Sequence, residues 1–96
     1  MIKLPDNYRI LVDSTSYNLY RYYGKVDKNG QDIRAPIGYY TTLQGALKGF
    51  RDELVKRRLS SGEYSVYEAI EAIRDIDNSV KEYIDNKIPE VEVILR

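Results

Sequence analysis

The chain of 96 residues carries 15 basic and 15 acidic residues, is 43% hydrophobic, and contains neither His nor Cys. The absence of these two residue types excludes zinc sites, Ser-His-Asp triads, Cys-His pairs and disulfides, so that catalysis would depend on carboxylates, Lys, Arg or Tyr. We therefore expect a single cytoplasmic domain, residues 1–96, that binds a partner without catalysing a reaction and without a cofactor or metal.

The charge is unevenly distributed along the chain. Residues 1–62 hold eleven Lys or Arg and six Asp or Glu, whereas residues 63–96 hold four and nine. The first part is thus basic and the second part acidic. No apolar run approaches the roughly 20 residues that a membrane-spanning helix needs, so we expect no membrane association.

Residues 1–40 predict a three-stranded antiparallel sheet. Alternating apolar residues predict a strand from Tyr8 to Val12, and a second strand from about Tyr17 to Val26 follows a run of turn-forming residues. The third strand is predicted from about Gln31 to Tyr40.

The third strand is expected to form a hairpin with the second. Asn29-Gly30 suits the positive φ angles of a type I′ turn. Pro36 lacks a backbone N–H, so the third strand should lie at an edge, be broken, or bulge there.

A helix is predicted to begin at a capping box formed by Thr41 and Gln44, with apolar residues recurring at helical spacing as far as Leu54. Gly45 and Gly49 lie on one side of this helix. Their lack of a side chain indicates close packing against the tyrosine-bearing sheet or, alternatively, close approach of a partner's backbone.

A second helix is predicted to start at a capping box formed by Ser65 and Glu68 and to stop before Pro89. The tail from Val91 to Leu95 predicts a further strand, which would pair within its own chain or join two copies into a homodimer. The predicted fold is therefore α+β in the order βββαα, with a sheet over residues 1–40, a helical hairpin over 41–88 and a strand or tail over 89–96.

The second strand offers a candidate surface for binding a partner protein. Residues 17–42 contain six of the ten tyrosines, and strand alternation places Tyr20 and Tyr22 on the face turned away from the helices, where we expect them to be exposed. With Arg21 between them, they belong to the residue types that are enriched at protein–protein hot spots. An ordinary solvent-facing sheet is the alternative interpretation, since Tyr favours strands.

Basic residues on the hairpin and the first helix suggest phosphate contacts as an alternative function. The competing explanation is that cations near a helix C-terminus complement its dipole or pair with the acidic helix. The candidate nucleic-acid-binding residues are Lys25, Lys28, Arg34, Lys48, Arg51 and Arg58.

The second helix carries a run of acidic residues, of which Glu71, Asp75 and Glu82 are candidate contacts to a partner. Such a stripe would either mimic nucleic acid in a partner's groove or form a solvated helix face. Asp75 and Asp77 point to different sides of a helix, so a metal site is not expected there.

The stretch from Tyr8 to Leu59 contains the motif Gly38-Tyr39-Tyr40-Thr41 at a predicted helix start and the pair Ala46-Leu47 one turn later. In these motifs and in its tyrosine-rich hairpin, this half of the chain resembles small proteins of unassigned function encoded by bacteriophages and other mobile elements. The resemblance implies an accessory protein in the cytoplasm of a bacterial host. Such proteins often bind a host protein or ribonucleoprotein, for example a CRISPR-type defence effector, and inhibit or modulate it.

Overall fold

The computed structural model describes the backbone of residues 1–87 and the side chains through residue 83. Over this range the chain is α+β, and an antiparallel four-stranded sheet precedes two α-helices. The elements are β1 (Ile2–Lys3), β2 (Tyr8–Val12), β3 (Tyr17–Val26), β4 (Asp32–Tyr40), α1 (Leu43–Ser60) and α2 (Val66–Lys87), and the strands are ordered β1-β2-β3-β4. The strand and dimer contact predicted for Val91 to Leu95 lie outside the described residues.

The described chain forms two compact units, one comprising residues 1–53 and the other the described residues from 54 onwards. The first unit contains the sheet and the beginning of α1. The second unit contains the end of α1 and all of α2. Each unit is described below by itself.

The prediction of three strands is wrong by one, because β1 pairs with β2. Its register joins Ile2 to Ile10 and Lys3 to Arg9, and a strand of two residues is too short to show alternation in the sequence. The chain returns to β2 through Asp6 and Asn7, whose φ angles are 61° and 66°. Asp and Asn tolerate this left-handed region better than most residues, which accounts for their place in the connection.

The turn between β3 and β4 also differs from the prediction. Gly30 has a φ of 79° whereas Asn29 does not have a positive φ, so a type I′ turn is wrong. The carboxylate of Asp27 accepts the N–H groups of Asn29 and Gln31 at 2.8 and 3.0 Å, and its carbonyl oxygen accepts that of Gly30 at 3.0 Å. This side chain holds a longer loop in which only the glycine is left-handed.

β4 is an edge strand with a bulge beside Pro36, as its proline predicts. Leu19 of β3 pairs with Gly38 and Tyr20 pairs with Pro36, so Ile37 has no partner on β3. The extra residue changes the alternation of side chains along the strand.

The inner face of the sheet, which carries Tyr8, Ile10 and Leu19, forms the core of the first unit with α1. These three side chains are fully buried. The ring of Tyr8 meets the ring of Phe50 edge to face, with 5.3 Å between the ring centroids. The helix face predicted from the sequence is confirmed by the buried residues of α1, which are Leu43, Ala46 and Phe50.

The ring of Tyr40 occupies space that Gly38 and Gly49 leave open. A Cβ atom at Gly49 would overlap the hydroxyl and ring of Tyr40, and one at Gly38 would lie 2.6 Å from the same hydroxyl. A Cβ at Gly45 would lie 3.5 Å from the Tyr40 Cβ. The close helix–sheet packing predicted from Gly45 and Gly49 is therefore confirmed at Gly49, whereas at Gly45 the distance to Tyr40 is that of an ordinary contact.

The capping box predicted for α2 is confirmed. The amide of Glu68 donates to Ser65 Oγ at 3.1 Å, and the amide of Ser65 donates to Glu68 Oε1 at 3.4 Å. At α1 the capping residue is Thr42 rather than Thr41, because Thr42 Oγ1 accepts the amide of Gly45 at 3.0 Å.

Helical spacing in the sequence predicts a buried face of α2 made of Ala69, Ile70, Ile73, Ile76, Val80 and Ile84, of which the last lies outside the described side chains, and the structure confirms this face only in part. Ala72 and Ile76 are buried, whereas Ile70 leaves 48% of its surface exposed although its spacing predicts burial. Residues at i and i+4 lie on one face of a helix, and Ala72 and Ile76 define that face here.

The connection from β2 to β3 is organised by the carboxylate of Asp13. Its Oδ1 accepts the backbone N–H groups of Thr15 and Ser16 at 2.8 Å each, and its Oδ2 accepts Nδ2 of Asn18 at 3.1 Å. The two backbone hydrogen bonds are the largest causes that hold the pKa of Asp13 well below its usual range. The turn predicted from this run of short polar residues is confirmed.

We expect Asp13→Asn to lower the stability of the protein near neutral pH and to have less effect in acid. Because the pKa of Asp13 is lower in the folded state, its contribution is present above the unfolded pKa of about 4 and is lost as the pH falls through the folded value. Urea midpoints of both proteins at pH about 7 and about 2.5 test this expectation. Asp75→Asn, at an exposed position of α2, is the matched control. A wild-type advantage that stays the same at both pH values would contradict it.

Candidate interaction surface on the sheet

The strand register brings two arginines and three tyrosines together on the outer face of the sheet, opposite to the face that packs on α1. Arg9 pairs with Tyr20 across β2 and β3, and Arg34 pairs with Tyr22 across β3 and β4. Tyr39 pairs with Asn18, two residues before Tyr20 and therefore on the same face. We call this set the outer cluster: Arg9, Tyr20, Tyr22, Arg34 and Tyr39.

Each arginine of the outer cluster lies over the tyrosine diagonally opposite to it. The guanidinium carbon of Arg9 is 4.1 Å from the centre of the Tyr22 ring, and that of Arg34 is 4.4 Å from the centre of the Tyr20 ring. Arg34 Nη1 also donates a hydrogen bond of 3.0 Å to Tyr22 Oη. These cation–π contacts and the hydrogen bond hold both guanidinium groups in fixed positions.

The exposure of the outer cluster differs from the expectation at Tyr22. This side chain is only 7% exposed, so the prediction that it lies open on the outer face is wrong. The aliphatic stems and planar head groups of arginine can cover an aromatic ring, and Arg9 and Arg34 both lie close to this one. The exposed aromatic residue of the cluster is instead Tyr39, with 67% of its surface accessible.

Two pKa values in the outer cluster are shifted, and both shifts lead further from neutral pH. Hydrogen bonding with the Tyr39 hydroxyl raises the pKa of Tyr20, and burial adds to the effect. The hydrogen bond to Tyr22 raises the pKa of Arg34, with burial opposing it. The phenol therefore stays neutral and the guanidinium stays charged. Among the side chains of residues 1–83, no carboxylate forms an ion pair with Arg9 or Arg34.

Arg21, predicted to act together with Tyr20 and Tyr22, lies on the inner face instead. It pairs with Tyr8 and Ala35, is half-buried, and places its guanidinium 5.2 Å from the centre of the Tyr23 ring. Strand alternation itself puts Arg21 on this side. It is therefore separated from the outer cluster by the sheet.

The predicted acidic contacts lie on α2, in the second unit. Glu71 is half-buried and accepts a 3.2 Å ion-pair contact from Arg74 Nη1, whereas Asp75 and Glu82 are exposed. Their spacing of four and eleven residues places them on one side of the helix. Their part in binding stays a prediction.

The predicted basic contacts do not form one surface. Lys25 and Lys28 are exposed near the end of the β3–β4 hairpin, and Arg34 belongs to the outer cluster. Lys48 and Arg51 lie on α1, which covers the opposite face of the sheet, and Arg51 pairs with Asp52 at 2.9 Å. Arg58 is exposed near the end of the same helix.

Two residues of the outer cluster, Arg9 and Tyr39, were not predicted from the sequence. The outward direction of Arg9 follows from its place between the apolar residues of β2, but its contact with Tyr22 depends on the register between strands. The exposure of Tyr39 depends on the bulge at Ile37. The only sequence signals were Pro36 and the tyrosine pair that follows it.

Comparison of the chain with models of known protein families, with curated proteins and with solved structures finds no significant match. The resemblance to proteins of mobile elements therefore stays a prediction. Across residues 1–87, no helix is both long enough and apolar enough to cross a bilayer. Among the side chains that the structure describes, which end at residue 83, no three of the metal-ligating types His, Cys, Asp and Glu converge on a common point.

Proposed function

We propose that the protein is a non-enzymatic binding protein that docks on another protein through the outer cluster. The observation that carries this proposal is the pair of arginines held over tyrosine rings on a sheet face that α1 leaves open in the first unit. Tyr and Arg dominate the energetics of protein interfaces. Side chains that are already fixed lose less conformational freedom when a partner binds.

The pKa shifts in the described residues arise from hydrogen bonds within the fold. The pKa of Asp13 is lowered, and the pKa values of Tyr20 and Arg34 are raised. All three pKa values are therefore further from neutral pH than the ordinary values of these groups. A general acid or base works best with a pKa near the operating pH. These shifts are those of groups that hold structure and charge in place.

The resemblance to mobile-element proteins suggests the biological setting of this proposal. The partner would be a bacterial host protein or ribonucleoprotein, for example a CRISPR-type defence effector, and binding would inhibit or modulate it. The acidic side of α2 would supply a second contact through Glu71, Asp75 and Glu82. Exposure of the latter two supports their inclusion.

Affinity capture from bacterial lysate, with and without nuclease and read by mass spectrometry, tests the proposed function. We expect one protein to survive nuclease with the wild-type chain and to be lost with Tyr39→Ala and with Arg34→Ala, because both side chains are accessible on the outer face. Lys56→Ala, at an exposed position of α1, is the matched control and should retain that protein. Equal capture by all four chains would refute the proposal.

A second candidate function is nucleic-acid binding by the hairpin, favoured by the exposure of Lys25 and Lys28 close to Arg34 along the hairpin. This function predicts an affinity that falls steeply with salt, because each neutralised phosphate releases counterions. In the capture experiment it predicts many partners that disappear on nuclease treatment. Lys25→Ala combined with Lys28→Ala should then abolish their recovery.

A further inference from the structure

We infer that the surface bound by the outer cluster is an acidic patch of a partner protein, whose carboxylates lie against the N–H edges of Arg9 and Arg34. This inference rests on the proposed function and adds the chemistry of the partner. It follows from three features of the cluster: which atoms remain available, how the charges are arranged, and where the exposed aromatic ring lies.

The stacking in the cluster decides which atoms can receive a ligand. The guanidinium carbons of Arg9 and Arg34 lie over the rings of Tyr22 and Tyr20, 4.1 and 4.4 Å from the ring centres, so each of these rings already has a cation over one face. A nucleobase needs an open ring face as a stacking platform, and the largely exposed ring of the cluster is that of Tyr39 alone. Each arginine offers a ligand five N–H donors in one plane.

A carboxylate matches these donors. Its two oxygens accept parallel hydrogen bonds from one guanidinium group in the plane of that group. Arg34 uses one donor, Nη1, for Tyr22 Oη, and this bond fixes the plane in which its other donors lie. Because no carboxylate among the side chains of residues 1–83 forms an ion pair with Arg9 or Arg34, an incoming carboxylate replaces no ion pair of that part of the chain.

The charge pattern favours a protein over a nucleic-acid strand. The positive charges on this face are compact, since Lys3 pairs with Arg9 on the neighbouring strand and Arg34 lies across β3. Towards the hairpin end, Lys25 and Lys28 alternate with Asp27 and Asp32. A strand of phosphates is tracked by a continuous positively charged groove, whereas two or three carboxylates need only a local patch.

The aromatic end of the cluster indicates what accompanies the carboxylates. Tyr39 lies next to Tyr20 and is 67% exposed, which makes it a large side chain with little internal packing to lose. An exposed tyrosine that becomes buried supplies apolar area and a hydroxyl to an interface. The partner patch should therefore carry acidic residues beside an apolar contact for this ring.

Nuclear magnetic resonance of the full, isotope-labelled chain tests the inference with two stated probes, a short poly-L-glutamate peptide and a deoxythymidine oligomer of equal charge. We expect the peptide to shift the side-chain Nε–H signals of Arg9 and Arg34 at lower concentration than the backbone signals of Lys25 and Lys28. Replacing both arginines with lysine keeps the charge but removes the planar fork, and we expect affinity for the peptide to fall about tenfold. Lys56→Gln, at an exposed position of α1, is the control that should bind unchanged, and the spectra report whether each variant is folded.

Three results would overturn the inference. The oligomer could shift the two arginine signals more strongly than the peptide does, which would favour nucleic acid. The lysine variant could bind the peptide as well as the wild type, which would reduce the site to net charge. The third result is that neither probe shifts these signals. In that case, capture of one protein that depends on Tyr39 would still support the proposed function.

Discussion

Gly49→Ala is expected to destabilise the protein by about 1–3 kcal/mol, the range for forcing an extra methyl group into a well-packed site. In an ordinary helix interior the same change is stabilising by about 1 kcal/mol, because alanine is the better helix former. Here the new Cβ would overlap the hydroxyl and ring of Tyr40, which belong to the end of β4. Urea denaturation followed by circular dichroism measures the difference.

The partner residue provides a test of the cause. In a chain that already carries Tyr40→Leu, the aromatic ring and its hydroxyl are gone, and we expect Gly49→Ala to become stabilising as helix propensity predicts. The sign of the effect should thus reverse with the residue at position 40. If Gly49→Ala destabilises both backgrounds equally, overlap with Tyr40 is not the reason.

Phe50→Ala should have the largest effect of any single substitution considered, about 3–5 kcal/mol, because it empties the centre of the first unit. Phe50 is 1% exposed and contacts the equally buried Tyr8 edge to face. A domain of this size is stable by about 5–15 kcal/mol, so the variant should be close to unfolding at 37 °C.

Phe50→Leu is the matched control for this substitution. It keeps an apolar side chain of similar size but loses the aromatic contact with Tyr8. Such a contact stabilises the folded state by about 0.5–1.5 kcal/mol beyond the effect of burial. Thermal and urea unfolding of both variants should therefore separate clearly. A loss below about 1 kcal/mol for Phe50→Ala would contradict the packing of α1 on the inner face.

Features encoded within a few residues were predictable from the sequence. The capping box of Ser65 and Glu68 lies within four residues, and the polar turn after β2 involves side chains that bond to amides two or three positions away. Strand β2 was visible from its alternation. The small residues Gly45 and Gly49 indicated close packing, although the sequence did not identify Tyr40 as the ring that fills the space.

The features that were not predicted depend on pairing between distant strands. Burial of Tyr22 results from Arg9, thirteen positions before it, and Arg34, twelve positions after it. Neither residue is adjacent to Tyr22 in any local pattern, and their positions follow only from the register of β2, β3 and β4. The short strand β1 was missed for a similar reason, since its two residues are recognisable only through their partners on β2.

The unpaired residue Ile37 determines which side chains of β4 point to each face of the sheet before and after the bulge. Before Ile37, Arg34 and Pro36 lie on the outer face, and after it Tyr39 does. Tyr40 packs against α1 in the space beside Gly49. Loss or gain of one residue at this point would exchange the faces of the two adjacent tyrosines. Tyr40 would then point into solvent, and Tyr39 would point into the interior. An insertion or deletion at this point would therefore disturb the core of the first unit and the outer cluster together, whichever residue stands at position 37.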